Sequence, residues 1–211
     1  MRKNVIIYRI IIAIIGISLL AIGVSFMRYA VFGVDPVSCL NIGVANKFGI
    51  TFGTWQLIFC FILLIGVFIF DKSKIGFGTV YIMLAAGYTS DFFLWLFQNI
   101  NFPEDFSLII RIIAFILGLV FYYLGAAVYI QTNMGLAPYD AVGIIISEKI
   151  KRPNWFRWIR IGTDALCVIG GVITQSDAGI GTLICVLLGG PLIALFIKLI
   201  MKIKIFKLIQ V

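Results

Sequence analysis

Long apolar runs separated by short polar punctuation set the plan of the sequence. A helix crossing a bilayer needs about 20 mostly apolar residues. Six runs approach that length: about Ile6 to Phe32, Thr54 to Phe70, Gly78 to Phe97, Leu108 to Ile130, Trp155 to Thr174 and Ile180 to Met201. Two stretches are shorter. Val37 to Phe48 carries Ser38, Asn41, Asn46 and Lys47, and Tyr139 to Ile146 runs into the charged piece Ser147-Glu148-Lys149-Ile150-Lys151-Arg152. Such lengths suit a re-entrant or interfacial helix better than a full span, although a tilted span stays open for the first.

Both short stretches follow the same break, Gly33-Val34-Asp35-Pro36 and Gly135-Leu136-Ala137-Pro138. The offset is constant, 135 − 33 = 102 and 138 − 36 = 102, and it also pairs Arg9 with Arg111, Gly16 with Gly118 and Gly23 with Gly125. Further along it shifts by one, 182 − 79 = 103, so that Ile75-Gly76-Phe77-Gly78-Thr79 matches Ala178-Gly179-Ile180-Gly181-Thr182, with Trp55 matching Trp158 and Gly87 matching Gly190. Different motifs recurring in one order point to a duplicated chain. Repeat 1 covers about residues 5–100 and repeat 2 about 107–203, within a single membrane domain over residues 1–211. Gly16 and Gly23 fall on one helix face, where a neighbouring helix can approach closely.

Composition removes the soluble classes. The 211 residues are 62% hydrophobic and 12% charged, against about 45–50% and about 25% in soluble domains. The net charge of +8 sits in short Lys/Arg clusters between apolar runs and at the ends, which reads as membrane topology and headgroup contact, not as a nucleic-acid groove. There is no His, so the commonest general base and metal ligand is missing. Cys39, Cys60, Cys167 and Cys185 all lie in apolar segments without CxxC spacing and read as buried hydrophobes. The expectation is a protein that is not an enzyme, with no cofactor and no metal. The first apolar run exceeds the roughly 7–15 residues of a signal-peptide core and reads as a retained transmembrane helix.

Charge also suggests orientation, because Lys and Arg concentrate in cytoplasmic loops. Arg2, Lys3, Lys72, Lys74, Lys149, Lys151, Arg152, Lys202, Lys204 and Lys207 would lie inside with both termini, and Glu104, Asp105 and Asp177 outside; Arg28 and Lys47 do not fit. That arrangement requires three full spans per half, and an odd number inverts the second half. The expected fold is therefore an all-α polytopic membrane helical bundle. It would hold two inverted three-span repeats, each with a Gly-x-x-Pro broken or re-entrant helix, related by an axis in the membrane plane.

Gly-x-x-Pro ending the first helix of each half, Pro138-Tyr139-Asp140 after the second break and Gly-x-Gly-Thr opening the last helix resemble the YczE/YyaS/YitT group of bacterial membrane proteins. The resemblance covers nearly the whole chain. It implies a multi-span protein of the bacterial cytoplasmic (inner) membrane, sometimes described as a transporter, and adds little about activity. Ser38 stands where the second half has Asp140, so any role of that carboxylate is not duplicated.

Charges at membrane depth cost roughly 2.5–3.5 kcal/mol each on insertion scales, so each needs a reason. Asp91 lies in the third long run and Asp164 in the fifth; Asp35 and Asp140 sit at the breaks, and Arg28 lies a turn before the first. With Asn41, Asn133 and Tyr139 they form the candidate substrate- or ion-binding set around the break residues Gly33, Pro36, Gly135 and Pro138. A break frees backbone groups that lipid cannot satisfy, and the short-helix N-termini suit an anion or carboxylate. Structural readings stand beside this one: Asp35 and Asp140 as helix caps, and Asp164 as the partner of Arg160 one turn earlier. Trp55, Trp155 and Trp158 read as interfacial belts, and Tyr122 and Tyr123 as packing or cavity lining.

The leading expectation is a small secondary transporter or channel-like permease for a small polar or charged solute, bound near the midplane. The alternative is a substrate-binding membrane subunit or an accessory membrane protein acting with a partner. Expected partners are the lipid bilayer and the solute, with a homo-oligomer or partner subunit left open.

Overall fold

A computed structural model describes residues 2–100, 107–151, 155–203, 205 and 206, without the side chains of residues 2–4 and 107. The loop with Glu104 and Asp105, and also Arg152, Lys204, Lys207 and the Arg2 and Lys3 side chains, lie outside this description. The described chain is helical, with no strand. Its helices are α1 (Arg2–Ala30), α2 (Pro36–Phe48), α3 (Phe52–Phe70), α4 (Phe77–Gln98), α5 (Ser107–Ile130), α6 (Pro138–Lys149), α7 (Phe156–Ile173) and α8 (Ile180–Ile200).

Proline opens both short helices, at the position where its missing N–H is not needed. Asp35 caps α2 by accepting from the Ser38 amide at 3.2 Å, whereas Ala137 gives α6 no side-chain cap. α6 runs past the expected end at Ile146 to Lys149, because its charged turn finds partners: Glu148 pairs with Lys74 at 2.8 Å and Lys149 lies over the Phe70 ring at 3.6 Å. The Glu148 carboxylate holds the Lys74 ammonium above the ordinary lysine range.

Among the described residues, five helices are long and apolar enough to cross a membrane: Val5–Ala30, Phe52–Phe70, Phe77–Gln98, Leu108–Ile130 and Ile180–Ile200. The sequence suggests six. The helix that does not qualify is α7, which carries Arg157, Arg160 and Asp164 within 18 residues. Its two sides differ. Leu166 (69% exposed), Ile169, Val172 and Ile173 point outward, while Cys167 and Gly171 are buried. Arg160 and Asp164 lie on the half-buried side and Arg157 is exposed, and these three charges set α7 apart from the five.

The centre of the molecule is the α1–α5 seam. A Cβ at Gly16 would lie 2.8 Å from the Tyr129 amide nitrogen, and one at Gly23 would lie 2.7 Å from Tyr122 Cα. Residue numbers rise on α1 as they fall on α5, so the two helices are antiparallel. α1 packs alongside α4 in the same direction, with Ile17 in one cluster with Ile82, and Ser25 Oγ donating to the Ser90 carbonyl at 3.1 Å. α5 treats α8 likewise: Phe115 meets Gly181, and the Tyr123 hydroxyl donates to the Cys185 carbonyl at 3.1 Å.

The short helices cross to the other half. Cys39 and Leu40 of α2 face Gly171 and Gly170 of α7, while Gly43 faces Thr174 and Ser176, so α2 and α7 run parallel. α6 runs parallel to α3, with Ala141 and Ile145 packed on Val67 and Lys149 on Phe70. The breaks are also held across halves. The Gly78 amide donates to the Met134 carbonyl, and the Gly181 amide to the Phe32 carbonyl, each at 2.7 Å. Gly33 and Gly135 have φ of +106° and +100°, and their backbones lie against Thr182 and Thr79. Only glycine combines that conformation with that proximity. Arg111 closes the end of α1, donating from Nε to the Ala30 carbonyl at 2.8 Å.

A candidate polar site between the broken helices

Asp35 at the start of α2, Asp140 in the first turn of α6 and Arg160 of α7 all lie within electrostatic range of Tyr122 on α5. Arg160 is the hub. Its Nη1 donates to Asp140 Oδ1, its Nε lies 3.2 Å from Asp164 Oδ1, and its guanidinium lies over the Tyr139 ring at 4.7 Å. The Tyr139 hydroxyl donates to Asp164 Oδ1 at 2.7 Å, and Cys167 lies 3.7 Å from that hydroxyl. Asp35 completes the group, within electrostatic range of Asp164, and its Oδ1 has no hydrogen-bond partner. The site therefore holds Asp35, Asp140 and Asp164 against one arginine, in surroundings where an unbalanced charge is expensive.

Helical spacing explains the arrangement on α7. Arg160, Asp164, Cys167 and Gly171 recur at intervals of four, three and four, one inward face of a helix. The pair Arg160–Asp164 is the expected contact between residues one turn apart. Asp140, which the sequence offers as a cap, instead salt-bridges Arg160 from across the interface.

Asp91 and Arg28 form a separate clasp. Arg28 Nη1 lies 2.8 Å from Asp91 Oδ1 and 3.1 Å from Ser90 Oγ, with the guanidinium over the Phe52 ring at 4.5 Å. Asp91 Oδ2 accepts from the Gly53 amide at 2.7 Å, so it satisfies an open donor at the start of α3. Both oxygens are thus engaged in joining α1, α3 and α4. Asn41 is fully buried and donates from Nδ2 to Gln56 Oε1 at 3.2 Å, leaving its own Oδ1 without a partner. Asn133 is exposed in the turn after α5, with φ +52°, a conformation asparagine tolerates; Val31, its counterpart at 133 − 31 = 102, has φ +56°.

Gln56, Ser90 and Tyr122 are not among the candidate site residues. Gln56 is a polar group in an apolar run and Ser90 adjoins Asp91, signals available from the sequence; Tyr122 has no such contrast, since aromatics pack anywhere. Tyr123 is a packing residue bonded to α8. Trp155 and Trp158 are exposed, while Trp55 stacks on Phe48 at 5.9 Å with a buried Nε1. All four cysteines are buried and unpaired. No group of three or more His, Cys, Asp or Glu side chains among the described residues is placed to hold a metal ion.

Relatives exist without an assigned activity. The chain is 35% identical over 189 residues to the uncharacterized protein YyaS of Bacillus subtilis (strain 168), covering 88% of this chain and 90% of that one. It is 27% identical over 177 residues to the uncharacterized membrane protein YczE of the same organism, covering 83% and 79%. No solved structure matches. Residues 7–198, both breaks and both clusters of charge included, match the profile of a family of unknown function, and the chain is a membrane protein belonging to that family, DUF6198.

Proposed function

We propose that the chain is a small secondary transporter or channel-like permease of the bacterial cytoplasmic membrane, moving a small polar or charged solute through a site at mid-depth and catalysing no reaction. The observation that carries this reading is the gathering of three carboxylates and one arginine, from the starts of α2 and α6 and from α7, within electrostatic range of Tyr122 in an apolar bundle. A purely structural bundle has little use for a cluster of charge among apolar helices. Broken helices with N-termini directed at a central site are a recurrent transporter device. Asp35, Tyr139, Asp140 and Asp164 would contact the solute or coupling ion, and the Arg28–Asp91 clasp would hold α1, α3 and α4 together beside it.

Within this reading the two halves are inverted repeats. Support comes from the opposite directions of the equivalent helices α1 and α5, and from the reciprocal pinning of the breaks. Basic residues then put both termini in the cytoplasm. Single cysteines introduced by Ser73→Cys and Asn46→Cys, with the native cysteines removed, should label with an impermeant maleimide from opposite sides of the membrane. Labelling of both from one side would refute the orientation.

Asp164 is the proposed coupling group, because it accepts from Tyr139 and pairs with Arg160 while remaining partly accessible. In proteoliposomes screened with a panel of solutes under an imposed pH gradient, Asp164→Asn should abolish gradient-driven uptake of whichever solute the wild type accumulates. Unchanged uptake by the variant would remove the coupling role.

A further inference from the structure

Asp35 is 4% exposed and is the most deeply buried carboxylate of the site. Its Oδ2 accepts from the Ser38 amide, while its Oδ1 has no partner. The only guanidinium in the cluster is already divided between Asp140 and Asp164. No ion pair among the described residues reaches Asp35. Asn41, on the same helix, likewise has an unpartnered buried acceptor oxygen. The polar atoms left open on α2 are therefore acceptors, and what is missing is a donor with positive charge.

Two ligand chemistries answer that need. A bare metal ion requires several converging ligands, and no such group of side chains is found among the described residues. An ammonium group needs less: one charge-assisted hydrogen bond to a carboxylate oxygen and an aromatic or hydroxyl neighbour. The Tyr122 hydroxyl is near enough to Asp35 to act on its carboxylate, and so supplies such a neighbour.

We propose that Asp35 binds a small protonated amine, its Oδ1 accepting an ammonium N–H, within the site on which the transport reading rests. The assignment fixes the solute as a cation with N–H donors, in place of the broader class of polar or charged solutes. Asparagine is as good a helix cap as aspartate. Asp35→Asn therefore keeps the bond to the Ser38 amide and removes the charge with little change of shape.

The test is equilibrium dialysis of the purified full chain against radiolabelled methylammonium. Competition with tetramethylammonium and with acetate, and the variants Asp35→Asn, Asp35→Glu and Asp71→Asn, complete the set. Wild type should bind methylammonium at least about tenfold tighter than tetramethylammonium, which has no N–H, and should not bind acetate. Asp35→Asn should weaken binding by at least about tenfold, Asp35→Glu should retain most of it, and Asp71→Asn should match wild type. Thermal transitions of the variants report folding, and Asp35→Glu shows whether charge at this position is the determinant.

Methylammonium binding unaffected by Asp35→Asn would overturn the assignment, as would acetate binding in its place or no binding by folded wild type. None of these results touches uptake in proteoliposomes or its dependence on Asp164, so the transport reading stands or falls separately.

Discussion

Gly23→Leu is expected to leave no monodisperse protein after detergent extraction. The position admits nothing larger than hydrogen: an added Cβ would sit 2.7 Å from Tyr122 Cα and 2.8 Å from the Gly118 carbonyl oxygen, and would also meet the Tyr122 amide nitrogen. Backbone cannot yield as a flexible side chain does. Overpacking a core typically costs about 1–3 kcal/mol, and here the two longest helices would have to separate along their whole seam. Contacts between small residues are what hold membrane helices together, since lipid is as apolar as leucine. The control is Gly66→Leu on α3, where an added Cβ meets nothing within 4 Å; it should extract and melt as wild type does. A Gly23→Leu protein with a normal elution profile and thermal transition would show that the α1–α5 seam is not the core of the fold.

Arg160→Gln should be nearly as damaging, for an electrostatic reason. The change strands Asp140 and Asp164 beside each other and beside Asp35. Removing one partner of a fully buried ion pair costs about 3–5 kcal/mol. The Arg160 and Asp140 side chains are 34% and 33% exposed, so about 2–3 kcal/mol is the appropriate expectation. The measurement is the thermal transition in detergent, with Arg160→Gln/Asp140→Asn as the decisive comparison. Neutralising one stranded carboxylate should recover a substantial part of the loss. If the double variant melts no higher than the single, the damage comes from lost packing of the arginine stem, and the charge account of the site is wrong.

The elements of this fold were legible because membranes enforce simple rules. Apolar length marked the long helices, and the prolines marked the starts of α2 and α6 to within a residue. Apolar length alone overstated α7 as a sixth span, because Arg157, Arg160 and Asp164 put three charges into its 18 residues. The charged turn of α6 was missed because its helicity depends on Lys74 and Phe70, residues remote in sequence.

The site was legible only by type. That each intramembrane charge needs a partner is a general rule, and it yielded Arg160–Asp164, a pair one helical turn apart. It could not yield Arg28–Asp91 or Arg160–Asp140, because both choices are made by helix packing that periodicity does not encode. The repeat offset is visible in the sequence, yet equal offsets do not say which residues face the centre. Asn133 and Asp35 both flank a break. One lies exposed in the turn after a helix, and the other is buried with an unpaired oxygen.

The reciprocal anchoring of the two breaks has a consequence for synthesis. The Met134 carbonyl finds its donor, Gly78, already translated, whereas the Phe32 carbonyl waits for Gly181, 181 − 32 = 149 residues later. The second turn can thus set as it leaves the ribosome, while the first stays unfastened until the last helix arrives. Maturation is ordered in time even though the finished anchors match, and a nascent chain halted before residue 180 carries one secured turn and one loose one.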